Sequence, residues 1–303
     1  MKLKFITLLL AIGLVAQAQN IQVKSQYELP INSTKTAFYP VLSEDGTMLL
    51  YSTEGYNGLY LYDFETKEEK NISSVQNSGY DPVFSNDNSK VFFRNTSYER
   101  GRRFDALESY DLRTGRQARM IKPQRNLRTA RSYHNGAIVQ ANNRLYKTTF
   151  GRTKAAIPVY VSSENLKIYV YSNGKRTELK PIEGENINYI WASLSPDNSK
   201  ILFTAVGKGT FVCDLKGKVI AKLGYLNAPV WYNDEMVVGM QDKDDGHVIT
   251  SSSVILISLD GKVKKQISSD EHIAMYPSAS SKAGKILYNT MDGKLVVSEL
   301  TIN

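Results

Sequence analysis

The sequence of 303 residues contains a single cysteine, so no disulfide can form within the chain. Stability has to come from a buried core, and a chain of this size buries about three quarters of its unfolded surface. Cys213 lies in the apolar run Thr210-Phe211-Val212-Cys213-Asp214, with no His or Asn beside it to activate a thiolate. It reads as a structural thiol rather than a nucleophile. Histidine is nearly as scarce: His134, His247 and His272 stand far apart, none at ligand spacing from another. No metal centre and no cofactor are therefore expected. The acidic stretch Asp242-Lys243-Asp244-Asp245-Gly246-His247 starts like a calcium loop, but its twelfth position is Ser253 where a bidentate Glu is required, which leaves a solvated turn. Also missing are a Gly-x-Ser-x-Gly elbow, a Gly-rich phosphate loop leading into a helix, and any convincing amphipathic helix.

Long apolar runs are absent too. The one at the start, Phe5 to Val15, is shorter than the roughly 20 residues that span a bilayer. With Lys2 and Lys4 before it and Ala16-Gln17-Ala18 after it, it reads as a signal peptide over residues 1–18, cleaved after Ala18. The expectation is a periplasmic or secreted protein of residues 19–303, a single domain with no transmembrane segment left.

What the chain does have is a repeat. Tyr39-Pro40-Val41-Leu42-Ser43-Glu44-Asp45-Gly46 runs into Thr47-Met48-Leu49-Leu50-Tyr51-Ser52. The pattern returns at Tyr80-Asp81-Pro82-Val83-Phe84-Ser85-Asn86-Asp87-Asn88, at Trp191-Ala192-Ser193-Leu194-Ser195-Pro196-Asp197-Asn198, and more faintly at Tyr276-Pro277-Ser278-Ala279-Ser280. Each copy continues with a third strand such as Gly58-Leu59-Tyr60-Leu61-Tyr62-Asp63, a polar turn, and a short fourth strand. Four antiparallel strands in about 40 to 45 residues is the size of a propeller blade. Blades are expected near 39–72, 80–122, 131–181, 189–223, 228–268 and 275–300. The third is read as Gly136–Gln140, Arg144–Lys147 and Ile168–Ser172 around an insertion. A strand at 21–29 would complete the last blade, giving an all-β, six-bladed propeller with no open sheet edge.

Pro-x-Phe-Ser-x-Asp-Asn-Ser-Lys-x-Phe-Phe, ending in a Tyr-Asp-Leu-x-Thr-Gly type strand and turn, resembles the repeat of the TolB-like six-bladed propellers, a WD-repeat-like pattern. The resemblance covers nearly the whole mature chain and implies the fold. The separate α/β domain that precedes the propeller in TolB has no counterpart here, where about 20 residues stand before the first repeat.

Formal charge is +8, and the excess is local. Ten arginines and Lys122 fall between Arg94 and Arg131, against Glu99, Asp105, Glu108 and Asp111. Propeller topology puts the loops between blades on the same face as those between second and third strands. That face is expected to gather Tyr39, Tyr80, Tyr133, His134, Trp191 and Tyr276 around the channel mouth, together with Arg100, Arg102, Arg103 and Arg128. Guanidinium groups beside aromatic rings suit a carboxylate or phosphate ligand. The reading is an exported, non-catalytic, monomeric propeller that binds an envelope protein or an anionic glycan, and not nucleic acid. The alternative is a propeller-scaffold lyase or hydrolase acting on an oligosaccharide at the channel, with His134 and His272 taking part.

Overall fold

A computed structural model describes residues 21–31, 36–151 and 159–302; the signal peptide expected at 1–18 lies outside them. The described residues wind into seven antiparallel sheets in sequence order. Blade 1 spans residues 38–73, blade 2 83–124, blade 3 131–148, blade 4 160–179, blade 5 189–224 and blade 6 227–266. Blade 7 combines residues 274–302 with Ile21–Glu28. The first strands of neighbouring blades approach one another, which places them around the axis as the inner strands.

Seven blades correct the six expected from the repeat. Residues 131–181 hold two small sheets, each with three strands among the described residues. Neither carries the Ser-x-Asp turn. Their strands are joined instead by two-residue hairpins at Asn142-Asn143, Asn165-Leu166 and Asn173-Gly174, with φ of 49° and 63°, 50° and 62°, and 51° and 73°. Turns with two successive positive φ values match the twist of the flanking strands and use almost no chain. A blade built on them fits in roughly half the usual length, so a period of about 40 residues passes over both. Gly136–Gln140, read as a first strand, lies in the second strand of blade 3 (Gly136–Ala141); Ile168–Ser172, read as a third, lies in the second of blade 4 (Lys167–Ser172).

The Ser-x-Asp turn is a small hydrogen-bonded unit. Ser43 Oγ donates to Asp45 Oδ1 (2.7 Å), which also accepts Thr47 N (3.1 Å), while Met48 N donates back to Ser43 Oγ (2.9 Å). Ser85 with Asp87 and Ser195 with Asp197 repeat it. Gly46 completes the first of these turns at φ 67°, with the position of a Cβ only 2.3 Å from Ala283 of blade 7, so no larger residue fits. The turns also tie blades together: Asn88 Nδ2 donates to Asp45 Oδ2 (2.8 Å) and the Asp197 amide to Asp234 Oδ1 (2.9 Å).

Seven buried apolar clusters alternate with the seven sheets. Leu50, Leu59 and Ile72 of blade 1 pack on Phe84, Val91 and Phe93 of blade 2. Tyr133 and Ile138 of blade 3 meet Tyr160 and Tyr171 of blade 4, the smallest of the clusters. The other interfaces repeat the arrangement, ending with Leu287, Leu295 and Val297 of blade 7 on Leu49 and Tyr51 of blade 1. Cys213 belongs to one of them, fully buried, and burial pushes its thiol up to about 12. The ring is closed by hydrogen bonds as well. Ile21–Glu28 runs antiparallel to Leu295–Ile302, from Ile21 opposite Ile302 to Glu28 opposite Val296.

Candidate functional site

The inner strands carry an irregularity that shapes the channel mouth. Pairing of the inner with the second strand breaks after Phe38, Ile190, Asn227 and Met275 and resumes at Val41, Ser193, Val230 and Ser278. The next residue in each gap is left-handed: Tyr39 (φ 55°), Trp191 (55°), Ala228 (43°) and Tyr276 (50°), with Asp81 (50°) at the matching place in blade 2. Pro40, Pro82, Pro229 and Pro277 follow four of these, a residue without an N–H where the ladder has no use for one. A bulge of this kind re-aims a side chain out of the sheet.

Against this rim, blades 2 to 5 enclose a cavity of about 600 Å³. Its lining includes Tyr80, Tyr160 and Trp191, five arginines (Arg94, Arg103, Arg125, Arg128 and Arg131) and two carboxylates, Asp81 and Asp105. Tyr80 and Trp191 are 38% and 41% exposed, open to a ligand.

Both carboxylates are already engaged. Asp105, 5% exposed, accepts Thr96 Oγ1 (2.6 Å) and Arg103 Nε (3.1 Å) on one oxygen and Arg94 Nη1 (3.3 Å) on the other. Arg94, 6% exposed, also donates to the Leu127 carbonyl (2.8 Å) and lies 5.0 Å from the Tyr80 ring centre. Asp81 accepts Thr129 Oγ1 (2.7 Å). Among the described residues, the remaining cations have no carboxylate of their own. Arg131 donates to the Val159 carbonyl (3.2 Å) and to Asn198 Oδ1 (2.6 Å), with burial lowering its pKa from the usual arginine value. Arg125 lies 5.7 Å from the Phe104 ring centre. Arg128 Nε is sealed from solvent and has no partner among the described residues. The cavity is therefore cationic, with donors left over for an anion.

Of the residues expected at the mouth, Tyr80, Arg103, Arg128 and Trp191 line this cavity. Tyr39 and Tyr276 lie on the same face in a row of rings: Tyr276 to Tyr39 at 4.9 Å, Tyr39 to Tyr56 at 3.9 Å, and Tyr56 to Tyr80 at 4.9 Å between centroids. Arg100 and Arg102 sit at the tip of the long hairpin of blade 2, where Arg102 stands opposite Glu99 in the strand register, outside the cavity lining. Tyr133 and His134 correct the expectation. Tyr133 ends the inner strand of blade 3 and His134 begins the turn to the second strand, on the face with the Ser-x-Asp turns. Tyr133 is buried there with His134 edge-on to it at 4.6 Å.

Sequence reasoning did not single out Arg94, Asp105 or Tyr160. A signal for the first was present, since Val91-Phe92-Phe93-Arg94 carries an arginine inside an apolar strand, where a charge needs a buried partner. Tyr160 went unnoticed with the blade that contains it. No group of three metal-ligating side chains occurs among the described residues, and none of their helices is long and apolar enough to cross a membrane.

Fold and cavity define a seven-bladed β-propeller with a cationic, aromatic channel mouth. Solved propellers resemble it at low identity. TolB from Acinetobacter baumannii is 19% identical with a TM-score of 0.52, over 82% of this chain and 58% of that one. An oligogalacturonate lyase in complex with manganese is 14% identical with a TM-score of 0.50, over 89% and 79%. The WD40 repeats of RRP9 are 8% identical with a TM-score of 0.62, over 93% and 100%. The chain thus spans a little over half the length of that TolB chain, and at these identities the likeness concerns the fold alone. Neither a protein-family model nor a curated protein matches the sequence.

Proposed function

We propose that this is an exported binding propeller whose channel mouth holds an anionic ligand through its carboxylate or phosphate groups. The observation that carries the reading is the charge balance of the cavity. Five guanidinium groups face two carboxylates: Arg94 and Arg103 bind Asp105, Asp81 accepts the Thr129 hydroxyl, and cationic charge is left in excess. Bidentate guanidinium pairing is the strongest charge-assisted contact such an anion can make. TolB as a neighbour adds only the scaffold.

Catalysis on an oligosaccharide through His134 and His272 has lost its geometric basis. His134 lies in a turn between first and second strands, whereas His272 lies in the connection from blade 6 to blade 7, so the two belong to opposite faces.

Calorimetric titration of the purified protein with polygalacturonate and with polyglutamate, at low and high salt, tests the proposal. Affinity should fall with salt, and Arg128→Glu should weaken it by at least about tenfold, the scale of one lost charge-assisted pair. Unchanged affinity in that variant would sink the reading.

A further inference from the structure

Tyrosine is an expensive choice for left-handed backbone. Among the described residues, 18 other than glycine have positive φ, and half are Asn or Asp, the types that tolerate it. Tyr39, Tyr56, Tyr276 and Trp191 are bulky exceptions, and all four sit on the mouth face. Bulky side chains held in this region are strained, and such strain gathers at sites that need the side chain. Three of the four belong to the row Tyr276, Tyr39, Tyr56 and Tyr80, which crosses from blade 7 over blade 1 to the cavity wall.

The two ends of this face differ in chemistry. At the cavity, cations and two exposed rings await an anion. Along the row there are half-buried phenols, and burial raises the pKa of Tyr39, Tyr56 and Tyr276, so they stay neutral hydrogen-bonding groups at ordinary pH. A ligand matching both ends needs acidic groups and also a succession of hydroxylated rings, whose C–H faces pack on aromatics while their hydroxyls meet phenols. An acidic peptide meets the first demand and not the second.

Resting on the cavity reading above, we infer that the tyrosine row is a second subsite and that the ligand is an acidic oligosaccharide, its uronate in the arginine cavity and its following sugars along the row.

The test is a calorimetric series of galacturonate and mannuronate oligomers from the monosaccharide to the hexasaccharide, with polyglutamate alongside. Affinity should climb with sugar length for at least one uronate, and polyglutamate should bind no better than the monosaccharide. Tyr39→Asn should cancel the gain with length, roughly three- to tenfold. Because asparagine suits the left-handed backbone better, that variant should melt within a few degrees of the wild type. A marked fall in melting temperature without loss of the length effect would make the row mere blade packing and overturn the inference. So would affinity independent of sugar length, or equal binding of polyglutamate, with the cavity reading still standing if Arg128→Glu abolishes what binding there is. Loss of no binding in Arg128→Glu would remove the cavity reading itself.

Discussion

Glu164 shows how a charge is kept inside this fold. It is 2% exposed at the end of the inner strand of blade 4 and accepts Ser162 Oγ (2.6 Å), the Tyr171 hydroxyl (2.7 Å) and Arg176 Nη2 (2.8 Å). Burial alone would raise its pKa, but the hydrogen bonds from Ser162, Arg176 and Tyr171 together hold it below the ordinary glutamate value. The Arg176 guanidinium is itself spread 3.4 Å from the Tyr169 ring centre. Blade 4 has a small sheet and the smallest apolar cluster behind it, so this polar knot carries weight there. Removing the carboxylate strands its donors, and Glu164→Ala should cost about 3 kcal/mol, near the low end for a broken buried pair because Arg176 can still reach water. The midpoint of urea unfolding, compared with Glu164→Gln, measures it; the amide should recover part of the loss.

At the scale of the blade, the Ser-x-Asp turn was legible because it is chemically demanding. A serine, an aspartate and a hydroxyl residue at fixed spacing are needed to close the hydrogen bonds seen at Ser43, Ser85 and Ser195, so the motif survives where apolar strand residues vary. Blades 1, 2 and 5 stood out for this reason. Blades 3 and 4 did not, because asparagine turns need only the right φ and leave a weak trace in sequence. The site was legible to the same uneven degree. Tyr80 and Trp191 followed from the repeat and Arg128 from the local charge, whereas Arg94 and Asp105 depend on a pairing across two strands. The turns also set the response to acid. In Asp45, burial opposes ionisation, but bonds from Ser43, Thr47 and Asn88 bring the pKa from 3.8 down to about 2; Asp87 and Asp197 are lowered through Ser85 and Ser195. A folded pKa below the unfolded one gives stability that is complete above about pH 4 and fades as pH falls toward 2. Melting temperature should drop steeply in that window. In Asp45→Asn it should start lower at neutral pH and fall less steeply, as differential scanning calorimetry would show.

For the whole molecule, the decisive bond is the pairing of Ile21–Glu28 with Leu295–Ile302. Deleting residues 21–28 would leave Leu295–Ile302 as an open edge and uncover the apolar cluster shared by Ile21, Ile286 and Val296. The truncated chain should melt well below the intact one and run as dimers or larger species in size-exclusion chromatography. A monomer of unchanged melting temperature would mean that the outer strand is dispensable.

That same pairing sets a timetable. Ile21 finds its partner in Ile302, so the earliest described strand must wait for the latest described one to be delivered. A chain arriving from one end, at a ribosome or through a translocation pore, can pack six inter-blade seams as it goes but cannot fasten the seventh. Until Leu295–Ile302 has arrived, both free edges remain competent to pair with another chain, and the wait lengthens with every blade. Compact geometry is thus bought with late completion, which makes the arrival of Leu295–Ile302 the step at which the ring either shuts on itself or joins a neighbour.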